Sequence, residues 1–151
     1  MVICRTREDI SAAVADVHKR NCSLGFIPTM GALHQGHLSL VSKSLHENNC
    51  TAVSVFVNPT QFNNKNDLIT YPRTIDADIA LLENAGVDIV FVPSVETMYP
   101  EGLENVTESY DFGFIGSVME GAARPGHFNG VGIVVHRLFD LVRPDRAYFG
   151  M

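Results

Sequence analysis

The chain lacks any apolar run approaching the roughly 20 residues that cross a bilayer, so no spanning helix is expected. Its opening, MVICRTREDI, carries an acidic pair where a signal peptide needs an extended apolar stretch; secretion is not expected, and the cytoplasm is the expected compartment. Basic residues are also scarce. Eleven Lys and Arg against 17 Asp and Glu leave a net charge of −6, which argues against a broad nucleic-acid surface, because neutralising phosphates takes clustered cations. Any anion site must be built locally. Cys4, Cys22 and Cys50 are odd in number and lack CxxC spacing, so they read as reduced, mostly buried thiols rather than a disulfide framework or zinc site. Without a secretory signal, the glycosylation patterns at Asn21, Asn49 and Asn105 carry no weight. No internal repeat, low-complexity stretch or linker interrupts the sequence.

What is present suits a soluble globular protein: 46% hydrophobic and 19% charged residues. At 151 residues the chain has the size of one domain, able to bury roughly 70% of its unfolded surface. Thr6-Arg7-Glu8-Asp9 resembles a capping box, and Ile10, Ala13, Val14 and Val17 follow at helical spacing, predicting a helix over about 7–20 after a short strand at Val2–Cys4. Ser23 to Pro28 reads as a buried strand stopped by its proline. Leu38, Val41 and Leu45 mark one face of a second helix. A strand from Thr51, a helix from Ile75 to Ala85 ended by Gly86, and an apolar strand from Val87 follow. Val106–Phe112 is a further candidate strand, and Asn129–Val142 a helix stopped before Pro144 and followed by Arg146-Ala147-Tyr148-Phe149. Strands alternating with helices in this way predict an α/β fold with a doubly wound parallel sheet.

Between the second strand and second helix stands PTMGALHQGH, Pro28 to His37. In such sheets ligands sit beyond the carboxyl ends of strands, where this segment falls. The amides opening the next helix lack intrahelical partners and carry the positive end of its dipole, so they suit a phosphate. Gly31 and Gly36 permit close backbone approach. His34 and His37 share a face if their turn is already helical, and each can donate to a phosphate oxygen. Two structural readings compete: half a metal site, for which no third Cys or His ligand is obvious, and a helix start with incidental histidines. His18, His46 and His136 lie in predicted helices without a motif, where surface or satisfied histidines are the default.

HQGH after an apolar strand resembles the HxGH signature of the adenylyl-transferring, Rossmann-like superfamily that includes class I aminoacyl-tRNA synthetases. PTMGALHQGH, VSVFVNPTQF, YPRT, FVPSVETMYP, EGAARPGHFNGV and RPDRAYFG stand in the order found in the pantoate beta-alanine ligase family, and the resemblance covers nearly the whole chain. It implies ATP- and Mg2+-dependent condensation of pantoate with beta-alanine through a pantoyl adenylate, by a cytoplasmic homodimer. His34 and His37 would be catalytic, stabilising the phosphates. The ATP-binding set would be Met30, Gly31, Ala32, Leu33, His34, Gln35, Gly36 and His37, with Gly150 and Met151. Asn58 and Gln61 would orient pantoate and the adenylate. Tyr71 would line the pocket, and Asp78 would help magnesium or else be a solvated helix carboxylate. Arg124, beside His127, would support the phosphates from an exposed loop. The chain stops at YFGM, inside a motif that continues Lys-Asp in the family, so residues 1–151 are expected to be an N-terminal nucleotide-binding domain without its C-terminal partner. Alone, it is expected to bind ATP weakly and make no pantothenate. The alternatives are a nucleotide-binding or dimerisation module without turnover, and another HxGH nucleotidylyltransferase.

Overall fold

The computed structural model describes residues 1–59, 66, 69, 73–106 and 127–150, of which 127–130 are described in backbone only. Chain order is β1 (Val2–Cys4), α1 (Arg7–Lys19), β2 (Leu24–Thr29), α2 (Gln35–Glu47), β3 (Cys50–Val55), α3 (Ile75–Ala85), β4 (Ile89–Phe91), α4 (Val95–Met98), a 3-10 turn at Leu103–Asn105, α5 (His127–Val142) and β5 (Arg146–Ala147). The candidate strand over 106–112 falls, beyond Val106, outside the described residues, as do Gln61, Tyr71, Arg124 and Met151.

The five strands pair in the order β1-β4-β3-β2-β5, and every pair is parallel. The doubly wound sheet is therefore present. Because side chains alternate along a strand, Leu24 and Phe26 of β2 turn to one face and Ile27 to the other. The first face packs on Ile10, Val14 and Val17 of α1 and Ile133, Val134 and Leu138 of α5. The second packs on Val41 of α2 and Leu82 of α3. Cover on both faces explains why the strands read as nearly continuous apolar runs.

Helix α2 lies close to the sheet because β2 has no side chain at Gly25: a Cβ there would overlap the Ser44 hydroxyl and the Asn48 amide. Ser44 in turn bonds the Thr51 hydroxyl at 2.7 Å. The face α2 turns inward centres on Val41 and Ser44, with Leu40 and Leu45 packed beside it. Leu38, expected on that face, is only half-buried, one position around the helix from it.

Pro28 does not end its strand. Strand β2 continues to Thr29, and Pro28 pairs in register with Ser54. The reason lies in the alternation of backbone groups. Thr29 C=O accepts from Phe56 on the β3 side, whereas Leu24 C=O and Phe26 C=O accept from Asp145 and Tyr148 on the β5 side. Pro28 belongs to the second set, so its missing N–H faces a side where β5, paired only at Gly25 and Phe26, has already ended.

The chain steps from β2 to β3 to β4 in one direction and later returns to place β5 on the opposite side of β2. That reversal is a topological switch point, and it opens a crevice beyond the carboxyl end of β2. Among the described residues, no helix is long and apolar enough to cross a membrane.

Candidate active site

A cleft of about 800 Å³ occupies this crevice. Its floor and one wall come from the β2 end and following loop, including Thr29, Met30, Gly31, Ala32, His34, Gly36 and His37. Leu40 and Phe56 add apolar surface. The opposite wall is α5, which presents Val131, Val134, Val135 and Leu138 at helical spacing, with Phe149 and Gly150 beyond β5. Of the expected nucleotide-contacting residues, Met30, Gly31, Ala32, His34, Gly36, His37 and Gly150 line this cleft, while Leu33 packs into the second core cluster.

The loop from β2 to α2 is built from the strand end upward. Thr29 Oγ1 donates to Ser54 C=O at 2.8 Å and accepts from the Gly31 amide at 3.2 Å. Gly31 and Ala32 then take φ of 84° and 50°, the left-handed region that glycine enters freely and alanine does not. This paired excursion turns the Ala32 and Leu33 amides toward α3, where the two oxygens of Asp78 accept one each at 3.0 Å. The Thr74 hydroxyl donates to the same carboxylate at 3.1 Å.

Asp78 is only 2% exposed, so it is not the solvated helix carboxylate that was one of its two expected readings. Its position in the first turn of α3 places the negative charge where the helix dipole favours it, and three donors replace its hydration. The amides of Ala32 and Leu33, expected to serve a nucleotide, are thereby filled by the chain's own carboxylate.

The two histidines do not share a helical face, because α2 begins only at Gln35. His34 is the N-cap, extended at φ −140°, and its Nδ1 accepts from the Gly36 amide at 3.0 Å. His37, three residues on, returns the bond: its Nδ1 accepts from the His34 amide at 3.1 Å. This reciprocal cap brings the ring centroids to 4.1 Å. Two backbone amides at this helix start, those of His34 and Gly36, are consequently spent on the imidazoles. The neutral tautomer that accepts at Nδ1 carries its hydrogen on Nε2, so each ring offers an N–H donor from the edge away from the backbone. Burial pushes the His37 pKa below its ordinary value; the charge of His34 adds to this and that of Asp78 opposes it. A neutral donor is what these surroundings favour.

Asn58 is fully buried just past β3, and its Oδ1 accepts from the Tyr99 hydroxyl at 2.7 Å. Arg137 of α5 stacks 4.8 Å from the Tyr99 ring centroid, donates to Met98 C=O at 2.8 Å and forms a paired ion bridge with Glu101 at 3.0 and 2.5 Å. Asn58 thus joins the strand end to α5 but is not among the residues lining the cleft. His136 sits on the surface against Asp140 at 3.3 Å, and the His46 ring bonds Ser42 C=O at 2.9 Å. Neither joins the site.

The features missed by sequence reasoning are the apolar wall of α5 and the Asp78 bonds. The spacing of Val131, Val134, Val135 and Leu138 was visible as a helical stripe; that it turns toward the site depends on where the sheet reverses. No local signal distinguishes Asp78 from Asp76, two residues earlier on the same helix.

Comparison with known proteins matches this architecture over its whole length. A pantothenate synthetase of Bacteroides thetaiotaomicron is 54% identical over 150 residues, which are 99% of this chain and 52% of that protein. One from Corynebacterium efficiens is 51% identical over 154 residues, covering 99% of this chain and 53% of the relative. The crystal structure of pantothenate synthetase from Thermus thermophilus superimposes with a TM-score of 0.89 at 49% identity, covering 99% of this chain and 52% of that one. A pantoate-beta-alanine ligase structure from Francisella tularensis, in complex with beta-gamma ATP and beta-alanine, gives 0.91 at 41% identity over 98% of this chain and 56% of that one. The chain spans about half the length of the curated relatives it matches. Since the pattern of pantoate-beta-alanine ligase also matches residues 2–151, the chain belongs to that family.

Proposed function

We propose that the protein serves the ATP-dependent condensation of pantoate with beta-alanine, residues 1–151 being its N-terminal nucleotide-binding domain. The observation that carries this reading is the pair of Nδ1-anchored imidazoles lining a cleft at the switch point. The ATP and beta-alanine held by the Francisella tularensis relative support the choice of ligands.

The chemistry fits the arrangement. A pantoate carboxylate oxygen attacks the α-phosphorus of ATP, and pyrophosphate leaves with the electron pair of the broken P–O bond. The beta-alanine amine then attacks the acyl carbon, AMP leaves, and the amine loses a proton. Charge accumulates on phosphate oxygens in the first step, and two fixed N–H donors stabilise it without having to reorganise. The apolar wall from Val131 to Leu138 excludes water, which strengthens those hydrogen bonds and protects an acyl adenylate from hydrolysis. Gln61 and Asn58 are assigned to pantoate, Tyr71 to the pocket and Arg124 to the phosphates on the resemblance alone.

Magnesium fits less well. Among the described residues no three His, Cys, Asp or Glu side chains are grouped to hold a metal, and both oxygens of Asp78 accept from backbone amides. Mg2+ is commonly held by substrate phosphates and water with few protein ligands. A homodimer in the cytoplasm completes the reading, and light scattering on purified protein tests the dimer.

The deciding experiment is ATP–pyrophosphate exchange by protein extended to the length of its relatives, with and without pantoate. Exchange strictly dependent on pantoate is expected. Exchange without it, or only with a nucleotidyl acceptor, overturns the assignment in favour of another HxGH nucleotidylyltransferase. The 151-residue chain alone is expected to make no pantothenate, and turnover by it would place the whole active site within these residues.

A further inference from the structure

We propose that Asp78 is a positioning residue for the two imidazoles, acting through the Gly31–Leu33 loop rather than through a metal or substrate. Each part of the connection is a short contact. Asp78 accepts from the Ala32 and Leu33 amides at 3.0 Å, and Leu33 is covalently next to His34, whose ring caps α2 and whose amide fixes the His37 ring. The carboxylate that accepts from Leu33 comes from α3, 45 residues away along the chain, so the loop is tied to a sequence-distant helix as well as to Thr29.

The tie is needed because the loop is not a conformation that alanine adopts unaided. Ala32 at φ 50° is strained, and two donors turned toward one charged acceptor offset that strain. Space at the contact is equally restricted: a Cβ on Gly31 would lie 3.1 Å from Asp78 Oδ2 and 3.2 Å from Val55. Without the carboxylate, the Ala32 and Leu33 amides lose their acceptor, and the loop relaxes toward ordinary backbone angles. The N-cap residue is the first to move when it does. Asp78 thereby sets which imidazole nitrogen carries hydrogen and where that N–H stands, while touching neither phosphate nor pantoate.

The meaning given to the imidazoles rests on the function proposed above; the link between Asp78 and the rings does not. The experiment therefore reads the rings directly. In the 151-residue chain, nitrogen-15 spectra of the imidazoles above pH 7 are expected to show His34 and His37 with hydrogen fixed on Nε2. Asp78→Asn presents an amide NH2 to one of the two backbone donors, and the rings should shift toward the mixed tautomers of a free histidine. Asp76→Asn, on the same helix, should leave them unchanged. A folded Asp78→Asn chain, judged by its melting transition, with wild-type ring spectra overturns the proposal.

If Asp78→Asn does not fold, Thr74→Val decides: it removes only the hydroxyl bond to the carboxylate, and unchanged ring spectra in it likewise overturn the proposal. At the length of the relatives, Asp78→Asn should lower the rate of adenylate formation by ~10- to 100-fold with little change in the KM for pantoate, the signature of misplaced groups. Absence of pantoate-dependent adenylate formation in the unsubstituted protein would instead count against the proposed function, leaving the ring spectra to decide the role of Asp78.

Discussion

Two helices of this domain begin with similar side-chain caps built from different chemistry. At the start of α1, the Thr6 hydroxyl accepts from the Asp9 amide, and the Asp9 carboxylate reaches back to the Arg5 amide. At the start of α2 imidazoles fill both roles, with the donors shifted by one residue each: His34 accepts from the Gly36 amide and His37 from the amide of the cap itself. The first turn of α1 is acidic, with Glu8 and Asp9, as a helix N-terminus left to itself prefers; that of α2 has no acidic residue. Helix α1 follows an edge strand, whereas α2 follows the strand at which the sheet reverses. The difference teaches that a cap can be satisfied and still keep a hydrogen-bond donor for a ligand, provided that the capping side chain has a second nitrogen.

The sharpest way to separate capping from chemistry is His34→Ser. Serine is among the preferred N-cap residues, so the helix should remain stable to within ~0.5 kcal/mol. Adenylate formation by protein at the length of the relatives should nevertheless fall roughly 100-fold, the usual consequence of losing one preorganised donor to a developing charge. Single-turnover measurement of the adenylate checks this, and a near-normal rate would make the imidazoles mere caps, equivalent to Thr6. The opposite dissociation is expected for Thr6→Ala. Chemical denaturation should show a loss of about 1 kcal/mol, with the adenylation rate unchanged.

A smaller effect distinguishes the two caps by pH. The Asp9 carboxyl is held below its ordinary value of 3.8 chiefly by the Arg5 amide, against an opposing desolvation, with Thr6 adding to the lowering. His37 is held below its ordinary value of 6.5 by burial and by His34. Both folded values are lowered, so both contributions are present at high pH and lost as pH falls through the folded value. The windows differ: the start of α2 should weaken as pH drops from 6.5 through the lowered folded value, below which protonated His37 can no longer accept at Nδ1, while α1 should hold until pH is below 3.8. Amide hydrogen exchange at His34, compared with that at Arg5 and Asp9 between pH 7 and 4, tests this order. Simultaneous loss at both helices would erase the distinction.

The two starts also differ in how far the sequence announced them. Thr6 and Asp9 form a pattern that depends on four adjacent residues, and it was readable as such. The strand–loop–helix context of PTMGALHQGH and the parallel sheet were readable for the same reason: periodicity and glycine placement are local. His34 and His37 could be named, but their reciprocal cap could not, because it depends on α2 starting at Gln35 rather than a turn earlier. Asp78 could be named through the resemblance, but its contact with the loop was beyond reach in a stronger sense. What makes it a buried acceptor is the left-handed pair Gly31–Ala32 on another element, and nothing in IDADIALL records that. Pro28 misled in the opposite direction, since a missing donor stops a strand only on the side where a neighbour needs it.

Gly25 gives the domain a mechanical property. Helix α2 is pressed against the sheet near its carboxyl end, where Ser44 and Asn48 sit over the missing side chain, and it carries the two imidazoles at the other end. At 1.5 Å per residue, the arm from Ser44 back to His34 is about 15 Å long. A side chain at residue 25 would act at the short end of a lever, lifting Ser44 and swinging the histidines relative to the wall of α5. The region that governs the width of the cleft therefore extends to the far end of β2, and a substitution at Gly25 would act on the cleft from outside its lining.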